Sequence, residues 1–160
     1  MKLTSLLAEF GSETGLGECP MDEEGVCRLV FDGDLVVDVE QEDIEEGQAG
    51  FVLYSAVGLL PADDPKVLRR LLGANLFARG TNDAVLALDE QLDEVVLFRR
   101  CEPEQMDYAA FVSVLTDFVN QLEYWREDLA RGCAEEEGVP LSEDERTPLF
   151  AAPSEGIIRP

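Results

Sequence analysis

An Asp-Gly pair between two short apolar runs is the feature that most constrains the fold of this chain. Residues 26–31 and 35–39 flank the turn at Asp32-Gly33, and an Asp-Gly pair is a strong signal for a tight β-hairpin. In the second run, which starts at Leu35, apolar residues alternate with mostly acidic ones. Because successive side chains of a strand point to opposite faces, one face of this hairpin is apolar and the other is acidic.

Apolar residues elsewhere recur with the periods of helices and strands. A spacing of three and four predicts amphipathic helices near residues 3–10, 65–78 and 107–131. Short apolar runs predict further strands at residues 51–57, 84–88 and 94–98. The first of these strands contains no charged residue, which is typical of a central strand buried on both faces. The order α-β-β-β-α-β-β-α predicts an α+β fold, an antiparallel sheet with helices packed on one side.

One folded domain and a tail are expected. The apolar period stops after Arg131, so residues 1–131 are predicted to form the domain. Residues 132–160 are acidic and contain several prolines, and we expect them to be a flexible tail. The start of the chain reaches Glu9 too early for a signal peptide, and no apolar run is long enough to span a membrane. A cytosolic protein is therefore expected.

Charge and cysteine usage favour binding over catalysis. The chain has 35 acidic and 12 basic residues, no histidine and a net charge of −23. Such a surface repels nucleic acid and anionic lipid and attracts basic partners. Without histidine there is no Ser-His-Asp or Cys-His catalytic pair and no histidine-containing metal site. The four cysteines are too widely spaced for a zinc motif and are expected to be reduced thiols: Cys19, Cys27, Cys101 and Cys133.

Carboxylates offer the remaining route to chemistry. An acid-base pair could be drawn from the hairpin residues Asp32, Asp34, Asp38 and Glu40, but a solvated strand face and turn is the favoured explanation of these carboxylates. The acidic loop expected at residues 40–46 could attract calcium loosely but lacks the EF-hand arrangement. No glycine cluster spells a phosphate-binding loop. The sequence thus predicts no catalytic residue, no metal site and no cofactor.

Three consecutive segments carry a resemblance to a known family. Residues 71–81, which include Ala74-Asn75-Leu76-Phe77, are followed by the strand patterns at 84–89 and 94–98. In this order they resemble the class I type III secretion chaperones, the family of the translocated intimin receptor chaperone. The similarity covers the element order from Leu3 to about Arg131. The chain departs from the family at Leu92, where a glycine is usual, and in its longer tail.

The resemblance implies a homodimer in the bacterial cytoplasm that uses no nucleotide. Such a chaperone binds an N-proximal segment of a secreted effector in non-globular form and keeps it soluble and competent for secretion. The secretion apparatus ATPase is a further candidate partner. Family dimers join through the second helix and the fourth strand, which correspond here to Leu68, Leu72, Asn75, Val85 and Ala87. Family effector-binding surfaces correspond to Leu7, Phe10, Val30 and Val36, of which at least part is expected to be exposed.

Alternatives remain open from the sequence. The leucines of the second helix could belong only to a monomer core, and Asn75 could face solvent or span a symmetric interface. A different class of binding protein, an acidic inhibitor or immunity protein that masks a basic partner or imitates DNA, fits the charge but leaves the leucine-rich helix unexplained. A small enzyme that works through Asp and Glu alone is the third possibility.

Overall fold

The computed structural model describes residues 2–44, 48–60, 64–102 and 106–132. Three helices and five strands form one α+β unit, in the predicted order. The helices are α1 (Leu3–Thr14), α2 (Pro65–Ala74) and α3 (Tyr108–Ala130). The strands are β1 (Val26–Phe31), β2 (Leu35–Ile44), β3 (Gln48–Leu59), β4 (Val85–Asp89) and β5 (Glu94–Cys101), and a 3-10 turn follows α2 at Leu76–Ala78.

The predicted hairpin is confirmed. Strands β1 and β2 pair antiparallel, with Val30 opposite Val36. Positive φ angles at Asp32 (50°) and Gly33 (87°) are those of a type I′ turn, and the Asp34 N–H donates to the Phe31 carbonyl across it at 3.2 Å. The Asp-Gly pair supplies this geometry because glycine adopts positive φ without a steric penalty and Asp tolerates it.

All five strands join one antiparallel sheet in the order β1-β2-β3-β5-β4. Helices α1 and α3 cover one face, where the longest helix buries Phe111, Phe118 and Trp125. The N-caps of α2 and α3 are both aspartates. The Asp64 side chain accepts from the Lys66 N–H, and the Asp107 side chain accepts from the Ala110 N–H. An aspartate at the N-cap position accepts from an otherwise unpaired N–H of the first turn, so it favours the start of a helix at the following residue.

The second face of the sheet, named the open face below, is not covered by a helix within residues 2–44, 48–60, 64–102 and 106–132. Strand β3 is central as expected, but the expectation that both of its faces are buried is wrong. Phe51 and Leu53 lie in the core, whereas Val52 and Tyr54 are half-buried and Ala56 is exposed. The largely apolar run gave the wrong prediction because no helix among the described residues packs on this second face.

Two further boundaries differ from the expectation. The acidic segment predicted as a loop at 40–46 instead continues β2 as far as Ile44, because its backbone pairs with β3. Helix α2 ends at Ala74 instead of Ala78, because Phe77 and Ala78 both adopt a φ of 54° that an α-helix cannot contain. The expected tail lies outside the described residues except for Gly132.

Candidate partner-binding surfaces

Exposed apolar side chains concentrate on α2, the turn after it and β4. Leu72 is 72% exposed and Phe77 is 61% exposed, although both belong to the largest apolar residue types. We name this surface the α2–β4 patch, and its members are Leu68, Leu72, Leu76, Phe77, Val85 and Leu88. Helix α2 buries only Val67 and Leu71 against the rest of the chain. An apolar surface of this kind marks a protein interaction site more often than a solvated face.

The segment that carries most of this patch has an unusual charge for this protein. Residues 65–82 contain Lys66, Arg69, Arg70 and Arg79 but no Asp or Glu, in a chain whose net charge is −23. Arg70 is held by α3, where it donates to the Tyr124 hydroxyl at 2.9 Å and pairs with Asp128 at 3.5 Å. The patch therefore presents apolar and cationic groups without the carboxylates that dominate the rest of the surface.

Asn75 protects the β4 edge of the sheet at Leu86. Its Nδ2 donates to the Leu86 carbonyl at 2.8 Å, and the Leu86 N–H donates to its Oδ1 at 2.9 Å. A side-chain amide thus occupies the two backbone positions that a neighbouring strand would use. Neither alternative raised by the sequence, a side chain in solvent or one spanning a symmetric interface, describes this contact. The other predicted interface residues, Leu68, Leu72, Val85 and Ala87, are exposed.

The β1 edge is finished differently. At its beginning, the Val26 N–H donates to Asp22 Oδ1 and the Asp22 N–H donates to the Val26 carbonyl, both at 2.9 Å. The Gly25 carbonyl accepts from the Gln41 N–H of β2. This bond shows which residues of β1 turn their backbone groups toward β2 and which turn them outward. Because paired and outward positions alternate in an antiparallel ladder, the backbone N–H and C=O groups of Arg28 and Val30 face away from β2.

The residues expected to bind an effector fall into two groups. Leu7 is 1% and Phe10 is 5% exposed, so these two members of the set lie in the core of this chain. Helix α1 turns its apolar stripe inward, and the Phe10 ring lies 6.1 Å from that of Phe111 on α3. By contrast, Val30 is 48% exposed and Val36 is half-buried, and the two face each other across β1 and β2 on the open face of the sheet.

Ion pairs accompany these valines on the open face. Arg28 donates to both carboxylate oxygens of Asp38, at 2.7 and 2.8 Å, and Asp38 lies opposite Tyr54 in the next strand. Burial, followed by the negative charges of Asp38 and Glu40, raises the pKa of the Tyr54 hydroxyl. These side chains line part of a groove of about 650 Å³ that also contains Val36.

The arrangement gives no support to acid-base chemistry in the hairpin. Asp38 is neutralised by Arg28, and Asp34 pairs with Arg126 at 3.4 Å, so the carboxylates have separate arginine partners. Within the described ranges, no three metal-ligating side chains come together. Burial raises the pKa of the Cys27 and Cys101 thiols to about 11, which keeps both protonated at neutral pH. Cys133 lies outside the described residues.

Sequence reasoning missed three members of the patch. Leu76, Phe77 and Leu88 were not among the expected interface residues, yet all three are exposed. The left-handed backbone of Phe77 leaves no trace in the apolar period. The absence of Asp and Glu from residues 65–82 was a readable signal for the region as a whole. None of the helices in the described part of the chain has the length and hydropathy needed to cross a membrane.

Comparisons with solved structures find close similarity of fold. A chain in the crystal structure of the ExsC–ExsE complex matches with a TM-score of 0.66 and 27% identity, covering 81% of this chain and 97% of that one. A chain in the complex of the Yersinia pestis type III secretion chaperone SycH with a stable fragment of YscM2 matches with a TM-score of 0.61 and 27% identity. The match covers 78% of this chain and 99% of that one. A chain of the Pseudomonas aeruginosa ExoU–SpcU complex has a similar fold, with a TM-score of 0.56 and 21% identity. The match covers 81% of this chain and 96% of that one.

Sequence comparisons give one match. No curated protein sequence matches the chain significantly. The family model of the Tir chaperone protein (CesT) family matches residues 5–126, a span that includes every described helix and strand apart from the ends of α1 and α3. The resemblance inferred from the Ala74-Asn75-Leu76-Phe77 region is thereby confirmed, and the chain belongs to the Tir chaperone protein (CesT) family.

Proposed function

We propose that this protein is a type III secretion chaperone of the bacterial cytoplasm. It binds an N-proximal segment of a secreted effector in non-globular form and keeps that segment soluble and competent for secretion. It acts by binding alone, without a catalytic residue, metal or cofactor. Membership of the family and likeness to chaperones solved with their partners support this proposal. The observation that carries it furthest in this chain is the β1 edge, whose outward backbone groups lie beside an exposed valine.

Strand addition is the binding mode that this edge supports. An extended effector segment placed beside β1 pairs its backbone with the N–H and C=O groups of Arg28 and Val30. Main-chain hydrogen bonds supply affinity without requiring a folded partner, and side-chain contacts at alternate positions supply selectivity. Val30 and Val36 are the members of the predicted set that remain in this site. Leu7 and Phe10 support the site indirectly, because their buried side chains pack α1 against the sheet.

A homodimer formed through the α2–β4 patch is the second part of the proposal. The patch contains Leu68, Leu72 and Val85, and Ala87 lies beside it on β4. Two copies that each carry a net charge of −23 repel one another, and a contact surface without carboxylates reduces that repulsion where the copies meet. Asn75 supports this surface from within its own copy by fixing the turn after α2 to β4.

Charge substitutions on the open face test effector binding. Val30→Asp and Val36→Asp should leave thermal unfolding nearly unchanged and weaken binding of the N-proximal effector segment at least about tenfold, or about 1.4 kcal/mol. The segment is obtained by recovering the secreted protein that co-purifies with the chaperone from its native host. Leu16→Asp, at an exposed leucine in the loop that follows α1, is the matched control. Unchanged binding by both folded valine variants would refute this site, and a wild-type protein that binds no secreted protein would refute the function.

A further inference from the structure

Phe77 is held in a conformation that exposes its ring. Its φ of 54° lies in the left-handed region, as does that of Ala78, and a bulky residue enters this region only when its surroundings impose it. The ring is 61% exposed, and the Arg79 guanidinium lies 5.7 Å from its centroid. An unfavourable backbone that turns a large aromatic side chain out to solvent points to a binding role for that side chain.

Several contacts impose this conformation. The Asn75 side chain fixes the start of the turn to Leu86 of β4 through two hydrogen bonds. The Ala78 N–H donates to the Asn75 carbonyl at 3.1 Å, and the Gly80 N–H donates to the Ala74 carbonyl at 3.1 Å. A Cβ at Gly80 would come within 2.9 Å of the Ala74 Cα, so only glycine closes the turn this tightly. Phe77 is therefore presented by a rigid turn, which limits the entropy lost on binding.

A cavity lies directly beside this turn, between α2 and α3. Its volume is about 440 Å³, and its walls include Arg69, Gly73, Tyr124 and Trp125. Nothing lies within 4 Å of the position that a Cβ would take at Gly73, so the helix leaves open space at this point. Aromatic rings and the aliphatic parts of arginine are suitable neighbours for a phenyl ring, and a guanidinium binds favourably over its face.

The turn and the cavity are adjacent on one surface. Ala74 and Gly80 line the cavity and also bracket the turn that carries Phe77. In an isologous dimer, a projection and a recess that lie side by side meet each other twice, once in each direction. Phe77 and the α2 wall of the cavity lie within residues 65–82, the segment without carboxylates, which favours a second copy of this chain as the occupant.

We propose that Phe77 is the anchor of the homodimer and inserts into the cavity at Gly73 of the second copy. This inference rests on the homodimer of the proposed function and adds the contact that fixes it. Asn75 acts as a positioning residue for the anchor. The symmetric dimer then contains two reciprocal contacts, each made of one Phe77 ring and one α2–α3 cavity.

Two single variants test the anchor, and a homodimer of either variant lacks both reciprocal contacts. Phe77→Ala removes the anchor, and Gly73→Leu fills the cavity while replacing a helix glycine by a strong helix former, which preserves the fold. Loss of each contact should weaken dimerisation about tenfold, so each variant raises the dimer Kd about a hundredfold, measured by sedimentation equilibrium. Leu16→Ala, at an exposed leucine outside the patch, should leave the Kd unchanged.

Mixing the two variants gives the decisive result. A heterodimer of Phe77→Ala with Gly73→Leu restores one contact, because the intact Phe77 of one copy meets the intact cavity of the other. The mixture should therefore dimerise about tenfold more tightly than either variant alone. No recovery on mixing, or an unchanged Kd for Phe77→Ala, would overturn the anchor and leave the homodimer standing. A wild-type protein that stays monomeric at about 100 μM, far above the Kd of a specific dimer, would overturn the homodimer itself, while effector binding is scored separately.

Discussion

At the β4 edge of the sheet, the side-chain amide of Asn75 occupies both backbone groups of Leu86, whereas at the β1 edge the backbone of Arg28 and Val30 faces outward. Unpaired strand edges invite pairing with other chains, and proteins usually protect them. Here each edge is protected at one residue, Leu86 of β4 by Asn75 and Val26 of β1 by Asp22, but β1 continues past Val26 with two further outward residues. The longer β1 edge is therefore the one that offers consecutive backbone groups to an added strand.

The largest expected effect separates the open edge from the core beneath it. Phe10→Asp places a charge among Phe31 and Phe111 and should reduce the free energy of unfolding by about 3–5 kcal/mol or unfold the protein. Val30→Asp, on the exposed side of β1, should change it by no more than about 0.5 kcal/mol. Urea denaturation of both variants measures the difference. A folded, stable Phe10→Asp would mean that α1 does not pack as described.

Removal of the Asn75 contact from the β4 edge should have the next largest effect. Asn75→Ala leaves the Leu86 N–H and C=O without their partner, which should lower the free energy of unfolding by about 1–3 kcal/mol. Hydrogen exchange at the Leu86 amide should speed up. Asp22→Ala, which removes a comparable contact from the exposed start of β1, is the matched control and should cost less. Equal stability and unchanged Leu86 exchange in Asn75→Ala would remove the contrast between the two edges.

A proline placed on the open edge tests its hydrogen bonds rather than its side chain. Val30→Pro removes an N–H that faces away from β2, so the sheet tolerates it, but an added strand loses a donor. Effector affinity should fall at least about tenfold, or 1.4 kcal/mol, with the fold intact, while Val30→Ala, which keeps the N–H, should lose less. Equal binding by the two variants in isothermal titration would place the affinity in side-chain contacts alone.

Sequence patterns predicted the parts of this molecule that depend on neighbouring residues. The element order and the Asp32-Gly33 turn follow from local periods and turn chemistry, and they are confirmed. The burial of Leu7 and Phe10 could not be read from the sequence, because an apolar helical stripe looks the same whether a sheet or a partner covers it. The Asn75 contact with Leu86 joins residues from different elements, and the left-handed Phe77 depends on that contact, so neither can be read from a local pattern.

The smallest effect is expected from the tail. Removal of residues 132–160 should leave both the melting temperature and effector affinity nearly unchanged, because the apolar period ends before them. Differential scanning fluorimetry and the same binding assay measure this. A drop in Tm of more than about 5 °C would mean that the tail contributes to the folded domain. A rise in effector affinity would mean that the tail competes for the open β1 edge, and the contrast between the edges would need revision.

Hydrogen exchange at single amides tests the central claim, that the effector adds a strand at β1, most directly. In the free protein the outward amides of Arg28 and Val30 should exchange quickly, and the Leu86 amide, bonded to Asn75, should exchange slowly. Binding of the N-proximal effector segment should slow exchange at Arg28 and Val30, with at most a small change at Leu86. Tight binding that leaves the Arg28 and Val30 amides as fast as before would contradict strand addition at this edge.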